Sequence, residues 1–431
     1  MIGDLTMNEK LFDYIASSPT AYHACAHTAE ILKEAGYLEI FEGAEWKMES
    51  GKGYFVRRNG SSLIAFRIPS AEASGFMITA SHADSPCFKI KENPEIADKY
   101  YVRLSTEGYG GMIYSTWMDR PLAVAGRVTV KTEKGIEIRL VDTCESVALI
   151  PNVAIHMNRA VNSGMNYNVA VDMVPLYGGE KDSFKGMIAN IAGVAAEDIV
   201  TTDLFLYNPQ RGYQWGDYIS APRLDDLQCA FGTLVAFLDS ADSSAAGSAV
   251  PVYALFDNEE VGSQTKQGAA STFLSDVVSR VAEATHKDSK ALVANSFMVS
   301  CDNAHACHPN HPEYSDKNHT VRMNEGIVIK YNANQRYTSD AVSAALFKLV
   351  CDEAGTPVQY YANRADMPGG STLGNIANTQ VSLNTVDIGL PQLAMHSSFE
   401  TAGKKDTEYL VSALTVFYKK ALKATESGYE F

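Results

Sequence analysis

A chain of 431 residues, 46% apolar and 20% charged, has the balance of a folded globular protein and is too long for one ordinary core. Its 36 basic and 51 acidic residues leave a net charge of −15, which argues against nucleic acid or an anionic membrane as a partner, since no Lys/Arg block offsets it. No apolar run reaches the ~18 residues of a membrane span, MIGDLTMNEK has no signal-peptide pattern, and seven cysteines without a CxxC read as reduced thiols, so a cytoplasmic protein is expected.

Ser17-Ser18-Pro19-Thr20 reads as a helix start, with a helix over 22–35 stopped by Gly36. YFVRRNGSSLIAFRI reads as a hairpin turning at Asn59-Gly60, in a type I′ turn. GFMITA (75–80) is a short apolar run that reads better as a buried strand than as a helix because of its length. From about 92 to 223 the texture becomes strand- and loop-rich, with a second hairpin turning near Lys134-Gly135. Beyond 223, LDDLQCAFGTLVAFLDSA lines Leu224, Leu227, Phe231, Leu234, Val235 and Leu238 along one helical face. AVPVYALF, SFMVSC and QVSLNTVDIGL are strand-like runs separated by helical segments such as 338–353. This alternation predicts an α/β fold with helices on both faces of the sheet. A last helix follows Asp406, its expected N-cap.

Acids and histidines follow these strand-like runs. His82 and Asp84 close the first, Asp257-Asn258-Glu259-Glu260 the second, Asp302 the third, and the last leads to His396. Asp225 opens the helix after SAPRLDDL. Ligand crevices in α/β sheets lie beyond the carboxyl ends of the strands, so these side chains can converge though far apart in sequence. Imidazoles and carboxylates suit divalent ions such as Zn, Mn or Co. Two ions need a bridging carboxylate and terminal ligands, and a further carboxylate can take a proton from an activated water. Glu259-Glu260 offers a base and a ligand side by side. Asp84 can hold the second ring nitrogen of His82 or fix the backbone around it. Each feature also has an ordinary structural reading. HAD can be a turn, Glu-Glu a solvated pair, Asp225 an N-cap and His396 a core histidine.

The blocks SHADSP, TWMDRPL, IPNVAIHMNR, RLDDL, FDNEEVGSQTKQGAAS, DNAHACHPN, GIVIKYNANQRY, GGSTLG and MHSSFE are similar, in order and over nearly the whole chain, to those of the aspartyl aminopeptidases. These are two-metal exopeptidases related to vacuolar aminopeptidase I, and the chain resembles a bacterial member. The resemblance implies a mixed, largely parallel sheet covered by helices in a metallopeptidase domain of residues 1–91 and 224–431. It implies an inserted β-rich dimerisation domain over 92–223. It also implies that His82 and Asp302 hold one zinc, Glu260 and His396 the other, and that Asp225 bridges them. Glu259 would be the general base and Asp84 would orient His82. Lys330 would face the side chain of the substrate's first residue. His156 would reach the active site of a neighbouring subunit in a dimer-based dodecamer. The implied activity is removal of N-terminal Asp or Glu from peptides.

The family usually reads RLDNL, so Asp226 adds a negative charge beside the expected bridge. Met118, Pro121 and Gly369 also depart from its common residues, without removing an expected ligand. His305, His308 and His311 have HxxH spacing, but Pro309 breaks the helix that would align them, so lining the substrate pocket is the expected role of His305. GGSTLG lacks the lysine of a phosphate loop and reads as a tight turn. Two alternatives stay open: an amidohydrolase of the same metal architecture acting on another amide, and an inactive assembly protein.

Overall fold

The computed structural model describes residues 5–242 and 248–431. Its central element is a nine-stranded mixed sheet. The strands are β1 (Leu38–Ile40), β2 (Gly53–Arg58), β3 (Ser62–Arg67), β4 (Phe76–His82), β5 (Val250–Phe256), β6 (Phe297–Cys301), β7 (Ile327–Tyr331), β8 (Val358–Ala362) and β9 (Asn384–Gly389). They lie in the order β1-β2-β3-β5-β4-β6-β9-β7-β8. The central strands β5, β4, β6 and β9 run parallel, with Phe256 opposite His82.

Both faces of this sheet are covered, which is why its strands read as unbroken apolar runs. Side chains still alternate along each strand. Met77, Tyr253, Leu255, Phe297 and Val299 face a core that includes helices α1 (Met7–Ala16), α2 (Ala21–Glu34), α3 (Leu224–Asp239), α5 (Ala341–Ala354) and α6 (Asp406–Phe417). Phe76, Ile78, Val252, Ala254 and Met298 face a second core against α4 (Phe273–Ala284).

A seven-stranded antiparallel sheet runs from Cys87–Ala97 to Ile199–Tyr207. Pairing of Ile199–Tyr207 with Pro121–Thr132 as well as with Cys87–Ala97 closes six of its strands into a ring around Phe88, Val124, Leu204 and their neighbours. The strands Tyr213–Trp215 and Tyr218–Ala221 belong to a third sheet with Glu400–Gly403 and Pro391–Leu393. No helix among the described residues is long and apolar enough to cross a membrane. The seven cysteines are free thiols.

Three local expectations change. The loop between β2 and β3 has three residues, since Arg58 pairs with Ser62; Asn59 and Gly60 both take positive φ, but Ser61 extends the turn. Asp406 is not the N-cap of α6. Lys405 holds that place, and the buried Asp406 carboxylate instead accepts the Asn324 N–H at 2.8 Å, tying the helix start to a distant loop. Asp225 lies at the start of α3 with φ −80° and ψ 107°, but Arg223 holds the N-cap place and Asp225 Oδ1 accepts no hydrogen bond from the described residues, so this side chain is not spent as a cap.

Candidate metal centre

The parallel run of β5, β4 and β6 brings three strand ends to one edge of the sheet. His82 is the last residue of β4, Asp302 follows β6, and a short 3₁₀ turn (Glu259–Val261) follows β5. Asp225 enters from α3, and His396 from the loop between Pro391–Leu393 and Glu400–Gly403. These five ligand candidates and Glu259 line one cleft, together with Lys330 and His305.

The geometry is that of two adjoining sites. One Asp225 oxygen, Oδ1, lies 3.4 Å from His82 Nε2, and the other, Oδ2, lies 3.4 Å from His396 Nε2. Asp302 Oδ1 is 3.9 Å from His82 Nε2, and Glu260 Oε2 is 3.4 Å from His396 Nε2. Ligand atoms of His82, Asp225, Asp226 and Asp302 fall within 4.8 Å of one another, as do those of Asp225, Glu260 and His396, and those of His82, Glu259 and Glu260.

Both rings are held for ligation. His82 Nδ1 donates to the Asp84 carbonyl at 3.0 Å, and His396 Nδ1 donates to the Gly111 carbonyl at 2.6 Å. Each leaves Nε2, facing the carboxylates, as the nitrogen a metal ion would take in place of a proton. Buried Asp225 Oδ1 and Glu260 Oε1 have no hydrogen-bond donor. A buried carboxylate oxygen without a partner is costly, and a cation removes that cost. The donor set, two imidazoles among carboxylates, therefore fits zinc.

Charge crowding perturbs every group. Burial would lower His82, but Asp226, Asp225, Asp302 and Asp84 raise it well above the ordinary histidine range. Burial and the Asp225 charge push Glu260 well above the usual carboxyl range, and burial with nearby carboxylates pushes Glu259 up to about 8. His396, which burial would lower, is pushed up to about 10 by Asp225 and Glu260. Asp225 moves the other way: burial would raise it, yet His396 and His82 hold it well below the usual range.

Glu259 and His396 thus bind protons more tightly in the folded than in the unfolded chain, and stability falls as pH rises past their unfolded values. Their contributions are complete below 4.5 and 6.5 and are lost by about 8 and about 10. The Asp225 contribution has the opposite sign and is already present across that window. The melting temperature of the metal-free protein should fall between about pH 6 and about pH 9. Saturating zinc should flatten the profile, because divalent charge replaces the protons. A metal-free melting temperature that rises with pH would contradict this packing of carboxylates.

Outer residues hold the ligands. Asp84 is clamped in the middle: Oδ1 accepts the Glu259 N–H and Oδ2 the Glu260 N–H, each at 3.1 Å, and Tyr109 donates to Oδ2 at 2.7 Å. Asp226, read in the sequence as an added negative charge, is fully buried and accepts the His82 N–H at 3.0 Å. Burial, with Asp302 and Asp225 nearby, raises its pKa well above the usual carboxyl range. Glu400 accepts the backbone N–H of both Asp225 and His396. The Tyr109-Gly110-Gly111 stretch of the inserted region reaches the centre as well. Gly110 has φ +72°, and a β-carbon there would lie 3.1 Å from Glu260 Cβ, so glycine suits it on both counts.

Lys330 is buried, donates to the Asn303 carbonyl at 2.9 Å and lies 3.7 Å from Asp302 Oδ2. His305 packs edge-on against Tyr361 in the cleft wall, while His308 and His311 are exposed beyond it. His156 lies on an exposed loop and does not line the cleft of its own chain.

Residues 14–418 match the family model described as aminopeptidase I zinc metalloprotease (M18). The chain belongs to the M18 aminopeptidases. It is 43% identical over 435 residues to the "Probable M18 family aminopeptidase 2" of Clostridium acetobutylicum, covering 97% of this chain and 100% of that one. The protein of the same name from Pseudomonas aeruginosa is 40% identical over 425 residues, with 96% of this chain and 98% of that one covered. Among solved structures, the cryo-EM structure of the Ape4 and Nbr1 complex has a TM-score of 0.92 at 35% identity, covering 95% of this chain and 85% of that one. The S. cerevisiae mApe1 dodecamer has a TM-score of 0.84 at 29% identity, with 95% of each chain covered. The chain is thus an M18 zinc metalloaminopeptidase, a metalloexopeptidase.

Proposed function

We propose that this M18 aminopeptidase holds two zinc ions per subunit and removes N-terminal acidic residues from peptides, with Glu259 as general base. The observation that carries the two-ion reading is Asp225, whose two oxygens each face the Nε2 of a different histidine at 3.4 Å. His82, Asp302 and Asp225 would hold one ion, and Glu260, His396 and Asp225 the other. Bound zinc supplies Lewis-acid polarisation of the scissile carbonyl and of a water. Asp84 and Asp226 fix the peptide backbone around Glu259, Glu260 and His82, so the ligands need little rearrangement. Glu259 takes the proton of the attacking water and returns it to the leaving amine. Manganese or cobalt suits the same donors. Zinc titration of the metal-free protein tests the count: two equivalents per chain are expected, and one would sink the two-ion reading.

Lys330 supports the acidic preference. An ammonium has three N–H donors, and the Asn303 carbonyl takes one. Another remains for a substrate carboxylate in a cleft also lined by His305, Tyr337 and Tyr361. A charge-assisted hydrogen bond is worth ~1.5–3 kcal/mol. Lys330→Met should therefore cut the preference for Asp or Glu over Leu by roughly 10- to 150-fold in kcat/KM. The ratio is the proper readout, because loss of the neighbour of Asp302 slows every substrate alike. An unchanged ratio would remove Lys330 from specificity and favour an enzyme acting on another amide.

The inserted region, residues 92–223, is read as a dimerisation domain of a dodecamer-forming chain in a reducing, cytoplasmic compartment. Its His156 loop exposes Val153, Ile155 and Met157, a patch that burial against a second copy would cover. His156 would then act in the partner's cleft. Mixing inactive His156→Ala and Glu259→Gln subunits under exchange should restore activity. If exchange is demonstrated and activity stays absent, His156 does not act in trans.

A further inference from the structure

We propose that Glu400 is a positioning residue that sets the spacing of Asp225 and His396, and thereby the affinity of the ion those two residues and Glu260 would hold. The inference rests on the two-ion reading above. Glu400 begins the strand Glu400–Gly403 and is 2% exposed. Its Oε2 accepts the Asp225 N–H at 3.0 Å, and its Oε1 accepts the His396 N–H at 2.8 Å and the Gln392 Nε2–H at 3.4 Å. A single carboxylate thus fastens the backbones of two ligands that arrive on different elements.

Both backbones need fastening. His396 has φ 68°, a left-handed conformation that a residue with a β-carbon holds only when its surroundings impose it. Asp225 departs from helical geometry inside α3. The Gly111 carbonyl fixes the His396 ring, but ring orientation alone does not set how far the ring stands from Asp225. Glu400 is absent from the groups of converging ligand atoms, so it acts through its neighbours and touches no reacting atom. The other site has separate anchors. Asp226 accepts from the His82 backbone, and the Ile388 carbonyl accepts from Asp302 N at 3.1 Å. Losing Glu400 should therefore be felt at one ion far more than at the other.

The test is calorimetric titration of zinc into metal-free wild type and E400Q, with thermal melting of both metal-free proteins. Glutamine keeps the shape but turns an NH₂ toward one of the two backbone N–H groups. One of the two binding steps should weaken by ~10–100-fold, the range for losing an outer support of a metal ligand. The other step should weaken far less, and excess zinc should return kcat toward wild type. Two unchanged steps would overturn the proposal, as would equal weakening of both together with a lowered metal-free melting temperature. Should E400Q fail to fold, E400D, one methylene too short to reach both N–H groups, is read the same way. If neither variant folds, Glu400 serves the fold and the proposal falls. A wild type that binds fewer than two ions would instead sink the two-ion reading, before any variant is compared.

Discussion

Glu259→Gln should keep its zinc and lose turnover by ~10²–10⁴, the contribution of a positioned general base. The substitution leaves the ligand set intact, since Asp225, Glu260, His396, His82 and Asp302 are untouched. It also replaces an acid by an amide of the same shape in a crowded, half-buried place, so folding should not suffer. Metal content and steady-state rates on a panel of aminoacyl substrates check this together. Glu260→Gln should behave in the opposite way, because Glu260 Oε2 faces His396 Nε2 at 3.4 Å, and its variant should lose or weaken one ion. If Glu259→Gln loses metal while Glu260→Gln keeps it, the two roles are exchanged.

Asp225→Asn should be at least as damaging, for a different reason. Asp225 offers one oxygen to each half of the centre, and an amide offers only one oxygen in total. Its NH₂ would face a histidine Nε2 and a cation, and neither site would then have its shared anionic ligand. Zinc content should fall below one ion per chain, and activity should disappear at zinc concentrations that saturate the wild type. Metal analysis after gel filtration, with circular dichroism to confirm folding, separates this from misfolding. Retention of both ions by a folded Asp225→Asn protein would remove Asp225 as the bridge.

The same residues show how far a sequence can be read. The runs at 76–82, 250–256 and 297–301 are short and apolar, and each ends on a histidine or is followed at once by an acid. Strand length and burial are local properties, and parallel strands necessarily present their carboxyl ends at one edge. That is why His82, Glu259, Glu260 and Asp302 were legible as one constellation before their distances were known. The helix after Arg223 and the hairpins were legible for the same reason, through periodicity and turn residues. The family blocks added the pairing of ligands that periodicity cannot supply.

Where local chemistry has two outcomes, only folding chooses between them. Asp406 has the residue type of an N-cap and sits at a helix start, yet its carboxylate is drawn to the Asn324 backbone. Asp226 reads as an added negative charge, but folding buries it completely and makes it a support for the His82 backbone. The resemblance implies a substrate contact for Lys330, and folding places it beside Asp302 as well.

The sequence by itself determined the buried strands, the acids and histidines at their ends, and through its blocks the family. Only the tertiary structure decided which carboxylates face the ions and which hold the peptide backbone. The physical reason is that such holds join a side chain to a backbone N–H or carbonyl far away in sequence. Glu400 reaches Asp225 across 175 positions, and Gly111 reaches His396 across 285. Every residue but proline offers the same backbone donor, so the partner leaves no mark in the sequence, and only the packing of the sheet, α3 and the inserted region selects it.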